Sequence, residues 1–377
     1  MAQKTAIYVQ HLLGAGHLVR AMSLAEALSK SGNQVLLLSG GFPIDREVKG
    51  YRFFQLPPTR AIEGNFTHLI DEDGNLINDH WRTNRADLLL AEIEKFKPDL
   101  VITETFPFGR RQFRFELDSL LNWVKSQPSV RLMASIRDVL QRRTVEKNRL
   151  TVESILQYYD AVLVHADESL FKLDASFPLS DEIEHKLIYT GYIHQPTSSS
   201  QKLIGNDGQD EIIVSGGSGT VSSRLIETAR LARPLSSARS NVWRLLTGRG
   251  GSSPAVSPEA GLIIEPNRPD FFALLNRCAL SISQAGYNTT LDVLASGARS
   301  VMIPFAGDGE TEQTDRAQAL ERAGCLIQLA EFDLTPQNLA HAVDRAIKQI
   351  PTKVNINLDG ATTSARLVSQ KMAEWKT

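Results

Sequence analysis

Cysteine is nearly absent from this chain: the 377 residues hold two, Cys278 and Cys325. Both lie in apolar stretches without metal-ligand spacing, so they read as buried thiols in a reducing compartment. Excess charge of either sign is also missing, and a net charge of −2 argues against a general nucleic-acid binder. No apolar run approaches the roughly 18 to 20 residues of a membrane span. Met1-Ala-Gln-Lys-Thr leads into a strand pattern without signal-peptide character, and a cytoplasmic protein is expected. His-Glu-x-x-His, P-loop and Cys-x-x-Cys motifs are lacking. Asp71-Glu-Asp73 is the one Asp-x-Asp, and its Gly/Asn surroundings read as a turn. The chemistry is therefore expected to need no metal and no bound cofactor.

Short apolar runs alternating with helical patterns fill most of the chain. In the first half they are Ala6–Val9, Gln34–Ser39, Arg52–Leu56, Asp99–Glu104, Arg131–Ile136, Ala161–His165 and Leu187–Thr190. An amphipathic helix separates the first two, with Leu18, Ala21, Met22, Ala25 and Leu28 on one face and Gly32 just past its end. Turn-forming residues dominate 195–210, the best linker candidate. The alternation then resumes with Glu211–Ser215, Val242–Leu246, Leu262–Ile264, Leu280–Ser283, Ser300–Pro304 and Leu326–Gln328. Continuous apolar strands separated by helices predict parallel sheets covered on both faces. The expected fold is α/β, with two doubly wound, Rossmann-like domains (1–194 and 211–377) facing across a cleft. Ligands in such sheets bind beyond the carboxyl ends of the strands.

Four segments carry candidate chemistry. Leu280–Ser283 reads as a strand followed by the turn Gln284-Ala285-Gly286, which opens onto a helix bearing Asn288, Thr289 and Asp292. The unpaired N–H groups of a helix start suit a phosphate, and Asp292 can accept from a sugar hydroxyl. Thr289-x-x-Asp292 reads equally well as a capping box. Leu13-Gly-Ala-Gly-His-Leu-Val-Arg20 lacks the third glycine of a dinucleotide fingerprint, which makes a dehydrogenase a poor alternative. Gly14 and Gly16 still permit close ligand approach, and His17 suits general-base work; its alternative is a surface or capping histidine. Val214-Ser-Gly-Gly-Ser-Gly-Thr220 offers backbone N–H groups that can wrap an anion, or is a plain tight turn. Last, Thr103-Glu-Thr-Phe-Pro-Phe-Gly-Arg-Arg-Gln-Phe-Arg-Phe115 leaves the end of a strand, and from Phe106 to Leu150 there are ten Lys/Arg against four Asp/Glu. That stretch suits an anionic acceptor or an anionic bilayer surface, or forms a solvated helix face.

Taken together, the Gly-x-Gly-His loop, the Gly-Gly-Ser loop and the Ser-x-Ala-Gly…Asp…Gly…Pro-Phe…Glu-Gln segment resemble the GT-B glycosyltransferases. The similarity is greatest to the group that contains the lipid II-forming N-acetylglucosaminyltransferase, with its family 28 type of C-terminal domain. It covers nearly the whole chain and is strongest over Leu280–Gly324. The resemblance implies that Ser215–Gly219, including Gly216, Gly217 and Ser218, and Ser283–Thr289, including Gly286 and Asn288, cradle a diphosphate. It further implies that Asp292 holds the nucleotide ribose, that Arg249 lies near the nucleotide, and that Glu312 and Gln313 meet the donor sugar. The family has two glutamines at the last positions, so Glu312 departs from its pattern. Gly14, Gly16 and His17 fall in an acceptor-side loop, and the helix near Ala361–Trp375 is implied to return to the first domain.

The resulting expectation is a metal-independent glycosyltransferase that uses a nucleotide-sugar co-substrate, most simply a UDP-sugar. His17 or Glu104 would deprotonate the acceptor hydroxyl. Arg110, Arg111 and Arg137 would hold a lipid-linked or anionic cell-envelope acceptor, with peripheral contact at the inner membrane surface. Two alternatives stay open. Gly14-Ala-Gly-His-Leu-Val-Arg20 is similar to the hydrolases that split nucleotide-activated sugars of the pseudaminic acid pathway, and a non-catalytic nucleotide-sugar-binding protein would use the same donor residues.

Overall fold

The computed structural model describes residues 2–12, 15–62, 65–194, 205–216, 221–247, 259–307 and 310–376. The chain divides into two compact units, Met1–Ile193 with Asp359–Thr377, and His194–Leu358.

The first unit runs β1 (Lys4–Val9), α1 (Gly16–Lys30), β2 (Gln34–Ser39), β3 (Arg52–Gln55), β4 (Arg60–Ile62), β5 (Asn65–Ile70), α2 (Asp79–Phe96), β6 (Leu100–Glu104), α3 (Arg114–Ser126), β7 (Arg131–Arg137), α4 (Val145–Tyr158), β8 (Ala161–His165) and β9 (Leu187–Tyr189). Seven of these strands form one sheet in the order β3-β2-β1-β6-β7-β8-β9, and every pairing in it is parallel. Its central strands are buried along their whole length because helices cover both faces. On α1 the residues Leu18, Ala21, Met22, Ala25 and Leu28 pack inward, and Gly32 follows at φ 92°, where a side chain would be strained. The hairpin β4–β5 is antiparallel and stands apart from the main sheet. Asp71, just beyond it, accepts from the N–H groups of Asp73 (3.0 Å) and Asn75 (2.9 Å), which makes the Asp-x-Asp a turn.

The second unit runs β10 (Ile212–Ser215), α5 (Val221–Ala232), β11 (Trp243–Thr247), β12 (Leu262–Pro266), α6 (Phe271–Leu275), β13 (Leu280–Ser283), α7 (Tyr287–Ser296), β14 (Ser300–Met302), α8 (Glu312–Arg322), β15 (Ile327–Gln328) and α9 (Pro336–Lys348). Its parallel sheet has the order β12-β11-β10-β13-β14-β15. Ile212, Val214, Leu245, Leu280 and Ile282 pack in one core with Leu225 of α5 and Leu339 and Val343 of α9. Trp243 is fully buried there and donates its indole N–H to the Ala238 carbonyl (3.1 Å), so the core holds no orphaned donor from it. Within the segment read as a linker, residues 205–210 belong to this unit, and Asp210 N–H bonds the Arg277 carbonyl (3.1 Å).

The last helix, α10 (Gly360–Glu374), belongs to the first unit. Ala365, Val368 and Met372 share a core with Leu18, Met22 and Ala25 of α1. Arg131 lies over the Trp375 ring at 5.4 Å. Among the described residues no helix is long and apolar enough to cross a membrane.

Candidate active site

Both sheets reverse their winding at one point, between β1 and β6 in the first unit and between β10 and β13 in the second. In doubly wound folds, helices leave the two strands at such a point toward opposite faces, which opens a crevice at their carboxyl ends. His17 and Glu104 lie at the first of these points, Gly216 and Ser283–Asp292 at the second.

In the first unit, Glu104 ends β6 and is almost fully buried. Arg20, one turn along α1 from His17, donates to Glu104 Oε1, and Ser135 on β7 donates to Oε2. His17 Nδ1 lies 3.2 Å from Oε1. It is also 3.0 Å from Arg20 Nη2 and 3.0 Å from Thr105 Oγ1. Thr105 has φ 70°, an outlying conformation for a β-branched residue, and is held there by hydrogen bonds to Ser135 and Gly109. Burial alone would raise the Glu104 pKa, but Arg20 and the His17 hydrogen bond outweigh it and hold the carboxyl well below its usual range. Burial, followed by the Arg110 cation, pushes the His17 imidazole well below 6.5.

These surroundings separate the two candidates for general base. A carboxylate held ionised and already accepting from Arg20 and Ser135 is a poor acceptor for a hydroxyl proton. His17 is neutral at physiological pH and 15% exposed, so it is the group able to take one. In this arrangement Glu104 stands as the charged partner of His17.

Beside this pair lies an excess of positive charge. Arg110, at φ 61°, donates Nε–H to the Gln10 carbonyl (2.8 Å), which brings its guanidinium back over the end of β1. Burial and the neighbouring Arg137 push Arg110 down to about 10. Arg111 takes another course: it donates to Thr151 Oγ1 (2.8 Å) and the Lys147 carbonyl on α4, and so does not join Arg110 and Arg137. Gly16 is the exposed first residue of α1, whose amino end has no side-chain cap and no acidic residue in its first turn. Gly14 lies outside the described residues.

The second crevice is built differently. Gly216 follows β10 and is buried. Ser283 ends β13, fully buried, and among the described residues its Oγ has no hydrogen-bond partner. Gly286 is the N-cap of α7; no side chain caps this helix end and its first turn has no acidic residue. A Cβ built on Gly286 would meet no heavy atom of the described residues within 4 Å. Asn288 is exposed and Thr289 half-buried. Since α7 begins at Tyr287, Thr289 lies inside its first turn, and the capping-box reading of Thr289 with Asp292 fails. Asp292 is buried one turn further on, where His194 Nε2 meets its Oδ1 at 2.9 Å.

Glu312 opens α8, is buried, and pairs with Arg316 (3.3 Å). Arg316 also donates to the Ala285 carbonyl (2.9 Å), which ties α8 to the turn before α7. Gln313 Oε1 accepts from the Phe305 N–H (3.2 Å). Gly217, Ser218 and Arg249 lie outside the described residues. Arg20, Thr105, His194 and Arg316 were not singled out in sequence. Of these, Arg20 alone carried a local signal, its position one helical turn after His17.

Comparison with known proteins agrees with this architecture. Residues 212–371 match the glycosyltransferase family 28 C-terminal domain. The UDP-N-acetylglucosamine--N-acetylmuramyl-(pentapeptide) pyrophosphoryl-undecaprenol N-acetylglucosamine transferase of Thermotoga neapolitana is 36% identical over 69 residues, 18% of this chain and 20% of that protein. The chain thus spans about a fifth of that relative's length. The transferase of the same name from Thermotoga sp. strain RQ2 is 23% identical over 346 residues, 89% of this chain and 90% of that one. Among solved structures, the glycotransferase of kitacinnamycin superposes with TM-score 0.69 at 14% identity, covering 99% of this chain and 100% of the other. Acinetobacter baumannii MurG gives 0.64 at 14% identity, covering 98% and 99%. Residues 212–371 thus match the glycosyltransferase family 28 C-terminal domain, and the whole chain shares the fold of these solved glycosyltransferases.

Proposed function

We propose that the protein transfers a hexose from a UDP-sugar to a hydroxyl of a lipid-linked or otherwise anionic cell-envelope acceptor, without a metal. One observation carries the donor half: the amino end of α7 is uncapped and, among the described residues, has room for a Cβ at Gly286 and an unpartnered Ser283 hydroxyl beside it. Such a helix end takes a diphosphate, and Asp292 one turn along takes a ribose hydroxyl. Uridine follows the printed substrate of the relatives. Glu312 is engaged by Arg316 and Gln313 Oε1 by the Phe305 N–H, which leaves the Gln313 amide N–H₂ to donate to the sugar.

In the reaction, His17 Nε2 takes the proton of the acceptor hydroxyl. The freed oxygen bonds the anomeric carbon, and the bond from that carbon to the diphosphate breaks, its electron pair leaving with UDP. The N–H groups of α7 meet the charge that grows on the leaving phosphate, acting as preorganised dipoles. Arg110 and Arg137 hold the anionic group of the acceptor. Because Arg110 depresses the His17 pKa, an anion bound there strengthens the base as the acceptor arrives.

A bilayer-borne acceptor is supported by α4. Val145 (75% exposed) and Leu156 (47%) share a helix face with Arg149, and Arg142, Arg143 and Lys147 are exposed nearby. Vesicles containing anionic lipid should sediment the protein at low salt; failure to do so removes the membrane part of the reading.

The donor half is tested by thermal shifts against UDP-, GDP-, dTDP- and CMP-sugars, with Asp292→Ala alongside. Stabilisation by UDP-sugars that weakens in Asp292→Ala is expected. No shift with any nucleotide sugar would overturn the reading. Rapid release of free sugar without an acceptor would replace transfer by hydrolysis.

A further inference from the structure

Behind Glu104 runs a line of buried polar groups that the proposed reaction does not use. Ser135 Oγ, which contacts Glu104 Oε2, lies 2.9 Å from His165 Nε2. His165 Nδ1 lies 2.8 Å from Thr190 Oγ1. Each group sits within two residues of the carboxyl end of its strand, so the line crosses from β6 through β7 and β8 to the residue after β9. Ser135, His165 and Thr190 are all at most 1% exposed.

One arrangement of the hydrogens satisfies all of these contacts. Glu104, ionised beside Arg20, can only accept, so the single Ser135 hydrogen goes to it. Ser135 Oγ must then accept from His165, which places the imidazole hydrogen on Nε2. Burial first, and Arg20 second, hold His165 down to about 3, so it is neutral and its Nδ1 is bare. Thr190 then donates to Nδ1. The opposite arrangement would have Thr190 donate to the Gly191 carbonyl (3.0 Å) and Ser135 to His165, leaving Glu104 Oε2 without its hydroxyl donor. A hydrogen bond to an ionised acceptor is roughly twice as strong as a neutral one, which decides between the two.

We propose that Ser135 and His165 are positioning residues for His17: a one-way chain from Thr190 through His165 and Ser135 fixes the Glu104 carboxylate with Oε1 turned to the imidazole. The inference deepens the reading of His17 as base and rests on it. The chain contacts neither substrate, so its effect passes wholly through Glu104. A buried histidine kept only for packing would need no particular tautomer and would not be sensed at His17.

Nitrogen NMR of the histidine rings, on the ligand-free full chain near neutral pH, tests this. The expected wild-type result is His165 carrying its hydrogen on Nε2, in slow exchange with water. Ser135→Ala should lose that slow exchange and displace the His17 ring resonances, while Ser135→Thr restores both. Should Ser135→Ala fail to fold, His165→Gln, which keeps a donor toward Ser135, should leave His17 unchanged, and His165→Leu should displace it. A hydrogen on His165 Nδ1, or His17 resonances unmoved in Ser135→Ala or His165→Leu, would overturn the proposal. No substrate enters this measurement, so its failure is separate from failure of the nucleotide-sugar shifts.

Discussion

The two units share one topology and use it in opposite ways. At the switch point of the first, ionisable groups converge: His17, Arg20, Glu104, Arg110 and Arg137 gather at the ends of β1, β6 and β7. At that of the second, Gly216, Ser283 and Gly286 lie about an uncapped helix start, and the charged side chains there are already paired, Glu312 with Arg316 and Asp292 with His194. Buried charges shift one another's pKa values and suit proton transfer. Open backbone N–H groups bind an anion without titrating, and so suit a leaving diphosphate. The lesson is that the fold supplies the crevice and the side chains at its strand ends decide whether it reacts or holds.

Substitutions can break this division, and the largest effect belongs to the base. His17→Ala should lower turnover by about 10²- to 10⁴-fold while leaving the UDP-sugar thermal shift intact. Asp292→Ala should weaken donor affinity roughly ten- to a hundredfold, the range of a hydrogen bond to a charged group, and this is read by titration calorimetry. Gly286→Asp sharpens the contrast because its two effects oppose each other. Gly286 has φ −63° and room for a side chain, so a capping carboxylate should stabilise the free protein by about 1 kcal/mol and abolish donor binding by occupying the anion site. A lowered melting temperature with binding preserved would contradict the role given to α7.

The smallest effect is on pH dependence. A base with a depressed pKa stays free until the pH falls well below 6.5, so kcat/KM should hold through neutrality and drop only on the acid side. Removing the Arg110 charge removes one cause of that depression. Arg110→Gln should therefore move the acid limb upward in pH, as read from nucleotide release. A limb unmoved, or moved downward, would place Arg110 away from His17.

Much of the fold was legible because its strands are buried on both faces. Val35–Leu38 and Ala161–Val164 are unbroken apolar runs, and each forms the body of a buried strand in the structure. The hairpin β4–β5 escaped notice since Arg60–Ile62 is three residues long with a charged and an exposed position, too short for a period to register. Within the sites, glycine turns and helix starts are local features and could be read. Pairings were not: Arg20 meets Glu104 across 84 positions, and His194 meets Asp292 across 98. Adjacent Arg110 and Arg111 look alike in sequence, yet the left-handed backbone at Arg110 sends their guanidinium groups to different partners.

The most direct test of the division is donor affinity measured by calorimetry with a UDP-sugar in wild type, His17→Ala and Asp292→Ala. The account predicts wild-type affinity in His17→Ala and a loss of at least about tenfold in Asp292→Ala. Equal losses in the two variants, or a loss confined to His17→Ala, would contradict it.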